Sequence, residues 1–190
     1  MPKRSPMAAL VGAIDRPHDP ITIDETDMAL LRELAADSRL SQRALARQVN
    51  MSAPAVAERI ARLERLGVIK GYSVDIDWDR LGFDVVVYMP ITLDSGSDLE
   101  PTLKGFRQIT ELEELTVTTG QYDLLARFRL SGHAHLRELL LDRLWQIPNV
   151  KRIETMLSLG NLITDSYTQR VLSLNEPDDP EGKDSISRTN

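Results

Sequence analysis

The stretch "SAPAVAERIARLERLGVIKGY", Ser52 to Tyr72, constrains the fold more than any other part of the chain. Val56, Ile60, Leu63 and Leu66 recur at spacings of four, three and three, which is one face of a helix. Ser52 is a capping residue type, and Pro54 falls in the first turn, where a missing N–H costs little. Gly67 is the expected stop, and Val68 and Ile69 are expected to close a small core. Two shorter helical patterns precede this one. Asp24 can cap the first, with Asp27 three residues on, and Met28, Leu31, Leu34 and Ala35 share a face. Ser41 can cap the second, with Leu45, Ala46 and Val49 inward. The second and third helices are joined by about three or four residues, which is helix-turn-helix spacing in a module of DNA-reading size.

Charge is segregated along the chain. The formal net charge is −6, which alone argues mildly against a nucleic-acid partner. Between Ser38 and Lys70, however, Arg39, Arg43, Arg47, Arg59, Arg62, Arg65 and Lys70 face only Glu58 and Glu64. The outer side of the third helix is expected to offer Ser52, Ala53, Ala55, Glu58, Arg59 and Arg62. Small residues near its start let the backbone approach a groove, and Ser52 with the helix N-terminus can meet a phosphate. Arg59 is expected to pair with both acceptors of a guanine. Arg62 and Arg43 are expected on phosphates. Glu58 either accepts from a cytosine amine or pairs with Arg62 at i+4. Exposed arginines on three packed helices also fit a protein-binding adaptor, so the residues alone leave both readings open.

The second half alternates differently. Residues 70–77 read as a strand leaving the module, and Trp78 beside the "LG" hinge is expected to anchor one domain to the other. Then come a strand at 82–93, a helix at 99–109, strands at 113–119 and 123–130, a helix at 133–146 with Trp145 among its apolar positions, and a strand at 150–159. This β-α-β-β-α-β order is the split ferredoxin-like arrangement. Val85, Val87, Met89 and Ile91 share one face of the first strand, with Val86, Tyr88 and Leu93 assigned to the other. A strand apolar on both sides points to a second subunit as the cover. The expected class is therefore α+β: an N-terminal winged helix-turn-helix at 21–69, a linker strand and hinge at 70–81, and a ferredoxin-like domain at 82–160. Residues 1–20, with four prolines, and the acidic stretch 161–190 are expected to be disordered.

Several chemistries find no support. The chain has no cysteine. His133 and His135 lie two apart and do not share a helical face, so no metal site is expected. No serine is recognisably paired with a histidine, and no glycine loop cradles phosphate, so no enzyme is expected. No apolar run is long enough to span a bilayer, and the protein is expected to be cytoplasmic, with no membrane partner. Gly120, Gln121, Tyr122 and Asp123 form a turn whose backbone N–H groups can hold a carboxylate, while Asp123 can pair with an amino group. The same residues also read as an ordinary capped turn.

Ile23 to Gly82 closely resembles the N-terminal half of the leucine-responsive/asparagine (Lrp/AsnC) regulator family. The residues that carry the resemblance are Ile23, Asp24 and Asp27, then Leu45, Ala46 and Val49. They continue as Met51, Ser52, Val56, Arg59, Ile60, Leu63, Glu64, Gly67, Val68, Ile69, Gly71 and Tyr72, with Asp77, Leu81 and Gly82 after the linker. The second half resembles the family's regulatory domain through Gly120, Tyr122, Asp123, Pro148 to Val150 and Thr155. The resemblance implies a transcriptional regulator that binds double-stranded DNA at a pseudo-palindromic site. It implies homodimers joined through their sheets and assembling into tetramers or octamers. It implies a small effector, usually an amino acid, between regulatory domains near the Gly120–Asp123 turn, and no cofactor. Departures from the pattern leave the operator and effector open. Glu58 and several alanines stand on the reading helix, "DSGSDLEPT" is a longer first turn, and "SLGNLI" lacks a basic residue. An effector-independent architectural or assembly module is the alternative. Some haem-pathway decarboxylases share the two-part architecture, but the regulatory half here is poor in the basic and histidine groups a tetrapyrrole needs.

Overall fold

The computed structural model describes residues 19–94, 98–163 and 166–174. The chain divides into two compact units. One runs from Asp19 to Val74 and takes up the chain again from Ile163, and the other runs from Asp75 to Leu162.

The first unit contains α1 (Glu25–Ala36), α2 (Gln42–Gln48) and α3 (Ala53–Arg65). Their starts are set by side-chain caps. Asp24, Ser41 and Ser52 accept the N–H groups of Asp27, Ala44 and Ala55 at 2.8, 3.2 and 3.4 Å. Asp27 accepts the N–H of Asp24 in return at 3.3 Å, which completes a capping box. α3 ends where Gly67 turns to φ +71°. There Gly67 N–H donates to Glu64 O and Val68 N–H to Leu63 O, both at 3.0 Å, which satisfies carbonyls the helix would otherwise leave unpaired. Asn50, at φ +52°, makes the tight turn between α2 and α3. Leu30, Leu45, Ala46 and Val56 are buried together, with Leu34, Val49, Met51, Ala53 and Ile60 packed around them. Leu63 is also buried, whereas Leu66 is exposed, so the apolar series of α3 ends one position earlier than its spacing indicates.

The second unit opens with a 3₁₀ turn at Asp79–Leu81 that Gly82 closes at φ +81°. Trp78 meets Phe83 edge-on, with ring centroids 6.1 Å apart. Then follow β1 (Val85–Leu93), α4 (Glu100–Arg107), β2 (Leu112–Val117), β3 (Leu124–Leu130), α5 (His133–Glu138), β4 (Val150–Ile153) and β5 (Met156–Leu157). The sheet is antiparallel in the order β2-β3-β1-β4, with β5 also against β1, which is the ferredoxin-like topology. Val87, Met89 and Ile91 lie opposite Phe128, Ala126 and Leu124. With Phe106, Leu139 and Leu144 they form the buried core under α4 and α5.

Several sequence expectations change. Leu93 is buried on the same face as Ile91, as the two-residue period requires, and not on the face of Val86 and Tyr88. Residues 71–77 form no strand. They have no ladder partner, and Val74 is 83% exposed. The last strand is split into β4 and β5 around Glu154 and Thr155, and within β4 the register against β1 shifts between Thr92 and Leu93, opposite Arg152 and Val150. The helix expected at 133–146 is regular only through Glu138, then runs as a π turn (Leu139–Arg143) and a 3₁₀ turn (Leu144–Gln146). The wider turn lets Leu139 and Leu144, five residues apart, both reach the core, and it leaves Trp145 56% exposed. The second face of β1 is half-buried within one chain at Val86, Tyr88 and Thr92. Arg127 lies over the Tyr88 ring at 6.0 Å and pairs with Glu113 at 2.9 Å, so that face is mixed rather than apolar.

Part of the expected acidic tail is ordered. A helix α6 (Tyr167–Ser173), capped by Ser166, packs on α1 in the first unit. Val171 and Leu172 are half-buried. These apolar residues were masked in the sequence by the acidic composition that follows them. The expectations for residues 1–18 and 175–190, and for the tip of the "DSGSD" turn at 95–97, lie outside the described residues.

Candidate nucleic-acid interface and effector turn

At 3.6 residues per turn, Glu58 and Arg65 fall roughly opposite Val56 on α3, while Arg59 falls only about 60° from it. The structure follows this wheel. Glu58 and Arg65 are exposed, and Arg59 leans back against the start of α1. Its Nη1 donates to Asp24 Oδ2 at 2.6 Å and to Asp27 Oδ1 at 2.8 Å. Arg62 Nη1 donates to Asp27 Oδ2 at 2.8 Å. The Asp27 side chain is 1% exposed, against 28% for Arg59 and 42% for Arg62. One buried carboxylate thus caps α1 and clamps two arginines of α3. The hydrogen bonds to Asp24 and then Asp27 raise the pKa of Arg59 above its ordinary value. The Asp27 backbone N–H, followed by Arg59, holds the Asp24 carboxyl below its ordinary 3.8.

This arrangement changes the reading of several expected site residues. Arg59 is committed to two carboxylates, so a role at a base edge requires breaking ion pairs at the foot of α1. Arg62 pairs with Asp27 and not with Glu58, and Glu58 has no ion pair among the described residues. Ala53 packs on the helical core and does not face outward. Ser52 is exposed and spends its hydroxyl on the Ala55 N–H. Ala55 is half-buried in a cleft of about 530 Å³ between the start of α1 and α3, with Glu58, Arg59, Arg62 and Arg65 around it. Arg43 is exposed on α2, as expected. Arg47 and Arg65 are exposed as well, and no carboxylate among the described residues pairs with Arg43, Arg47 or Arg65. The wheel alone would have found Arg65. The Asp24/Asp27 to Arg59/Arg62 pairing joins residues more than thirty positions apart, and sequence spacing did not signal it.

The Gly120–Asp123 turn lies between β2 and β3. Gly120 sits at φ +113° and Gln121 is exposed. Asp123 Oδ2 accepts the Leu93 N–H at 2.8 Å, and Asp123 N–H donates to Ile91 O at 2.9 Å. One carboxylate oxygen is therefore already engaged in holding the turn to β1, which narrows the role expected for Asp123 toward an amino group. Tyr122 Oη donates to Glu154 Oε2 at 2.7 Å, a bond that raises the tyrosine pKa, and Arg152 pairs with the other Glu154 oxygen at 2.7 Å. Glu154 was missed in the sequence because nothing local links it to the turn.

His135 has both ring nitrogens engaged by neighbouring groups. Its Nε2 lies 3.0 Å from Glu111 Oε1, and its Nδ1 accepts the Ser131 N–H at 3.3 Å, next to the Ser131 hydroxyl at 3.1 Å. It ties the start of α5 to the start of β2. Among the described residues no group of three or more His, Cys, Asp or Glu could hold a metal ion, and no helix is long and apolar enough to cross a membrane.

Three capped helices with an outward cationic side, joined to a ferredoxin-like sheet domain, define a two-part DNA-binding regulator. Known families agree in both halves. A winged helix-turn-helix DNA-binding model matches residues 23–70, and an Lrp/AsnC ligand binding domain model matches residues 86–168. The regulatory protein AsnC of Haemophilus influenzae is 30% identical over 74% of this chain and 94% of its own length. The leucine-responsive regulatory protein of Rhizobium meliloti is 32% identical over 73% of this chain and 90% of its own. The solved structure of Escherichia coli AsnC superposes with a TM-score of 0.73 at 26% identity, covering 78% of this chain and 99% of that one. The chain belongs to the Lrp/AsnC family of DNA-binding transcriptional regulators.

Proposed function

We propose that this regulator reads DNA with the outward side of α3. Ser52, Ala55 and Glu58 lie toward the base edges, and Arg65, Arg43 and Arg47 lie on flanking phosphates. The observation that carries this reading is the division of labour on α3, in which Arg59 and Arg62 are clamped by Asp27 while Glu58 and Arg65 stand free. Glu58 accepts from a cytosine amine in the major groove, the one acidic contact that base chemistry favours. Arg59 is a positioning residue that fixes the angle of α3 against α1. Arg62, clamped through one nitrogen, keeps N–H groups for a phosphate.

Two copies present two such helices to the half-sites of an imperfect palindrome. The half-covered face of β1, with Val86 and Tyr88, is the surface that joins the copies, and dimers build tetramers or octamers. An amino acid lodges at the Gly120–Asp123 turn between regulatory domains. Its carboxylate lies on the turn N–H groups, and its amino group lies near the Asp123 oxygen not bonded to Leu93. It acts by binding one assembly more tightly than another. Fluorescence anisotropy on a selected operator tests the reading. Glu58→Ala should relax preference at one base pair by roughly 1–3 kcal/mol. Arg65→Ala should weaken matched and scrambled duplexes alike and lower the salt slope by about one. Unchanged affinity in both variants would place the DNA surface elsewhere.

A further inference from the structure

Asp24 serves α1 and Arg59 with different oxygens. Its Oδ1 accepts the Asp27 N–H at 2.8 Å and starts the helix, while its Oδ2 accepts Arg59 Nη1 at 2.6 Å. The arginine bond can therefore break without uncapping α1. Arg59 is held a second time through the same Nη1, by Asp27 Oδ1 at 2.8 Å. The two holds are unequal. The Asp24 side chain is 53% exposed and the Asp27 side chain 1%, so an incoming anion reaches the first and not the second. The Nε and Nη2 groups of Arg59 make no hydrogen bond among the described residues, which leaves one edge of the guanidinium fork for a further acceptor. The cleft between the start of α1 and α3 gathers Asp24, Asp27 and Glu58 with Arg59, Arg62 and Arg65, three acids against three arginines. It is formally neutral, although the part of it that α3 supplies is cationic.

We propose that Asp24 is an internal stand-in for a DNA phosphate and sets how tightly this chain holds any duplex. The proposal rests on the DNA reading of the same face. In the free protein the Asp24 carboxylate occupies Arg59. On binding, Arg59 leaves Asp24 for a backbone phosphate and pivots on Asp27, whose buried carboxylate keeps the angle of α3 against α1. Asp24 keeps its cap on the Asp27 N–H but loses its cation, and it then faces the phosphate that replaced it. The lost pair and the new repulsion are subtracted from the binding of every duplex, whatever its sequence. Each phosphate neutralised by an arginine releases a counterion, and the stranded Asp24 takes one back, so the salt dependence of binding is shallower than the count of arginines implies. An exposed ion pair is worth little in water, so the device tunes affinity and does not abolish it.

The test is anisotropy of a random-sequence duplex with the wild type, Asp24→Asn, Asp24→Ser, Arg59→Ala, Asp24→Asn/Arg59→Ala and Glu25→Gln. Asparagine and serine both cap a helix start, so these variants remove the charge and keep the cap. Glu25 is the adjacent acid, and its partner is Arg32 and not Arg59, so Glu25→Gln measures the effect of net charge alone. In low salt Asp24→Asn and Asp24→Ser should bind about 2–5-fold tighter than the wild type for each reading unit engaged, with the gap closing in high salt. Their salt slopes should be steeper by up to about one per reading unit. Glu25→Gln should gain less, and in the Arg59→Ala background the gain from Asp24→Asn should fall to the size of the Glu25→Gln effect. Wild-type affinity in both Asp24 variants overturns the proposal. So does an equal gain from Glu25→Gln, or an undiminished gain from Asp24→Asn when Arg59 is absent, because the effect is then net charge alone. Each of these results leaves the DNA reading standing. If no chain retains DNA in low salt, the DNA reading itself fails and the proposal falls with it.

Discussion

Replacing Asp27 probes the clamp that positions the reading helix. Asp27 accepts one bond each from Arg59 and Arg62 and one from the Asp24 N–H, and its side chain is 1% exposed. Removing one partner of a fully buried ion pair costs about 3–5 kcal/mol. Here the arginines are 28% and 42% exposed, so water solvates them once the carboxylate is gone and the cost is smaller. Loss of half the capping box adds about 0.5–1 kcal/mol. Asp27→Ala should therefore destabilise the reading unit by about 2–3 kcal/mol, and Asp27→Asn by less, because an amide oxygen still caps. The assay can separate the two units. Both tryptophans, Trp78 and Trp145, belong to the second unit, while α1, α2 and α3 contribute much of the helical signal. Urea unfolding followed at 222 nm should show a midpoint lowered by roughly 1–2 M for the reading unit. The tryptophan emission transition should stay in place. A shift of both transitions together, or a change under about 0.5 kcal/mol, would refute the clamp. So would an Asp27/Arg59 double-mutant cycle with no coupling.

Acid should loosen the same clamp. Asp24 titrates below 3.8 when folded, so its stabilising contribution is complete above that value and is lost as pH falls through the lowered folded value. Asp24→Asn should flatten this acid limb of the helical signal, and an unchanged limb would assign the loss to other groups. Asp123→Ala should leave the Leu93 N–H without its acceptor and cost about 1–3 kcal/mol in the second unit, read by tryptophan emission; no shift would mean the turn is held otherwise. Gly120→Asp should strain a backbone at φ +113° and abolish amino-acid response in a ligand titration without changing the elution of the assembly; a preserved titration would remove the turn from the effector site.

Local signals were legible in the chain wherever the chemistry was local. Asp24, Ser41 and Ser52 start helices because a side-chain oxygen bonds a backbone N–H three residues on, and Gly67 stops one because it tolerates positive φ. The β-α-β-β-α-β order followed from two periodicities. Tertiary partners were not legible. Nothing in the spacing of Arg59 and Arg62 says that Asp27 holds them, so they read as free cations, whereas Arg43, Arg47 and Arg65 are the arginines of α2 and α3 without a carboxylate partner among the described residues. The π turn at Leu139–Arg143 was hidden because an ideal helical wheel has no place for two core residues five apart. The alternation at 70–77 looked like a strand because pattern reports side chains, whereas a strand also needs a neighbour's backbone. Helix α6 was missed because its few apolar residues sit beside a longer acidic run.

Selection of bound duplexes from random DNA, carried out with the wild-type chain and with Glu58→Ala, tests most directly whether the outward side of α3 does the reading. The wild type should enrich a two-fold-symmetric motif, and Glu58→Ala should enrich the same motif with one symmetric pair of positions relaxed. The same motif at full stringency from both chains, or no enrichment from the wild type, would contradict it.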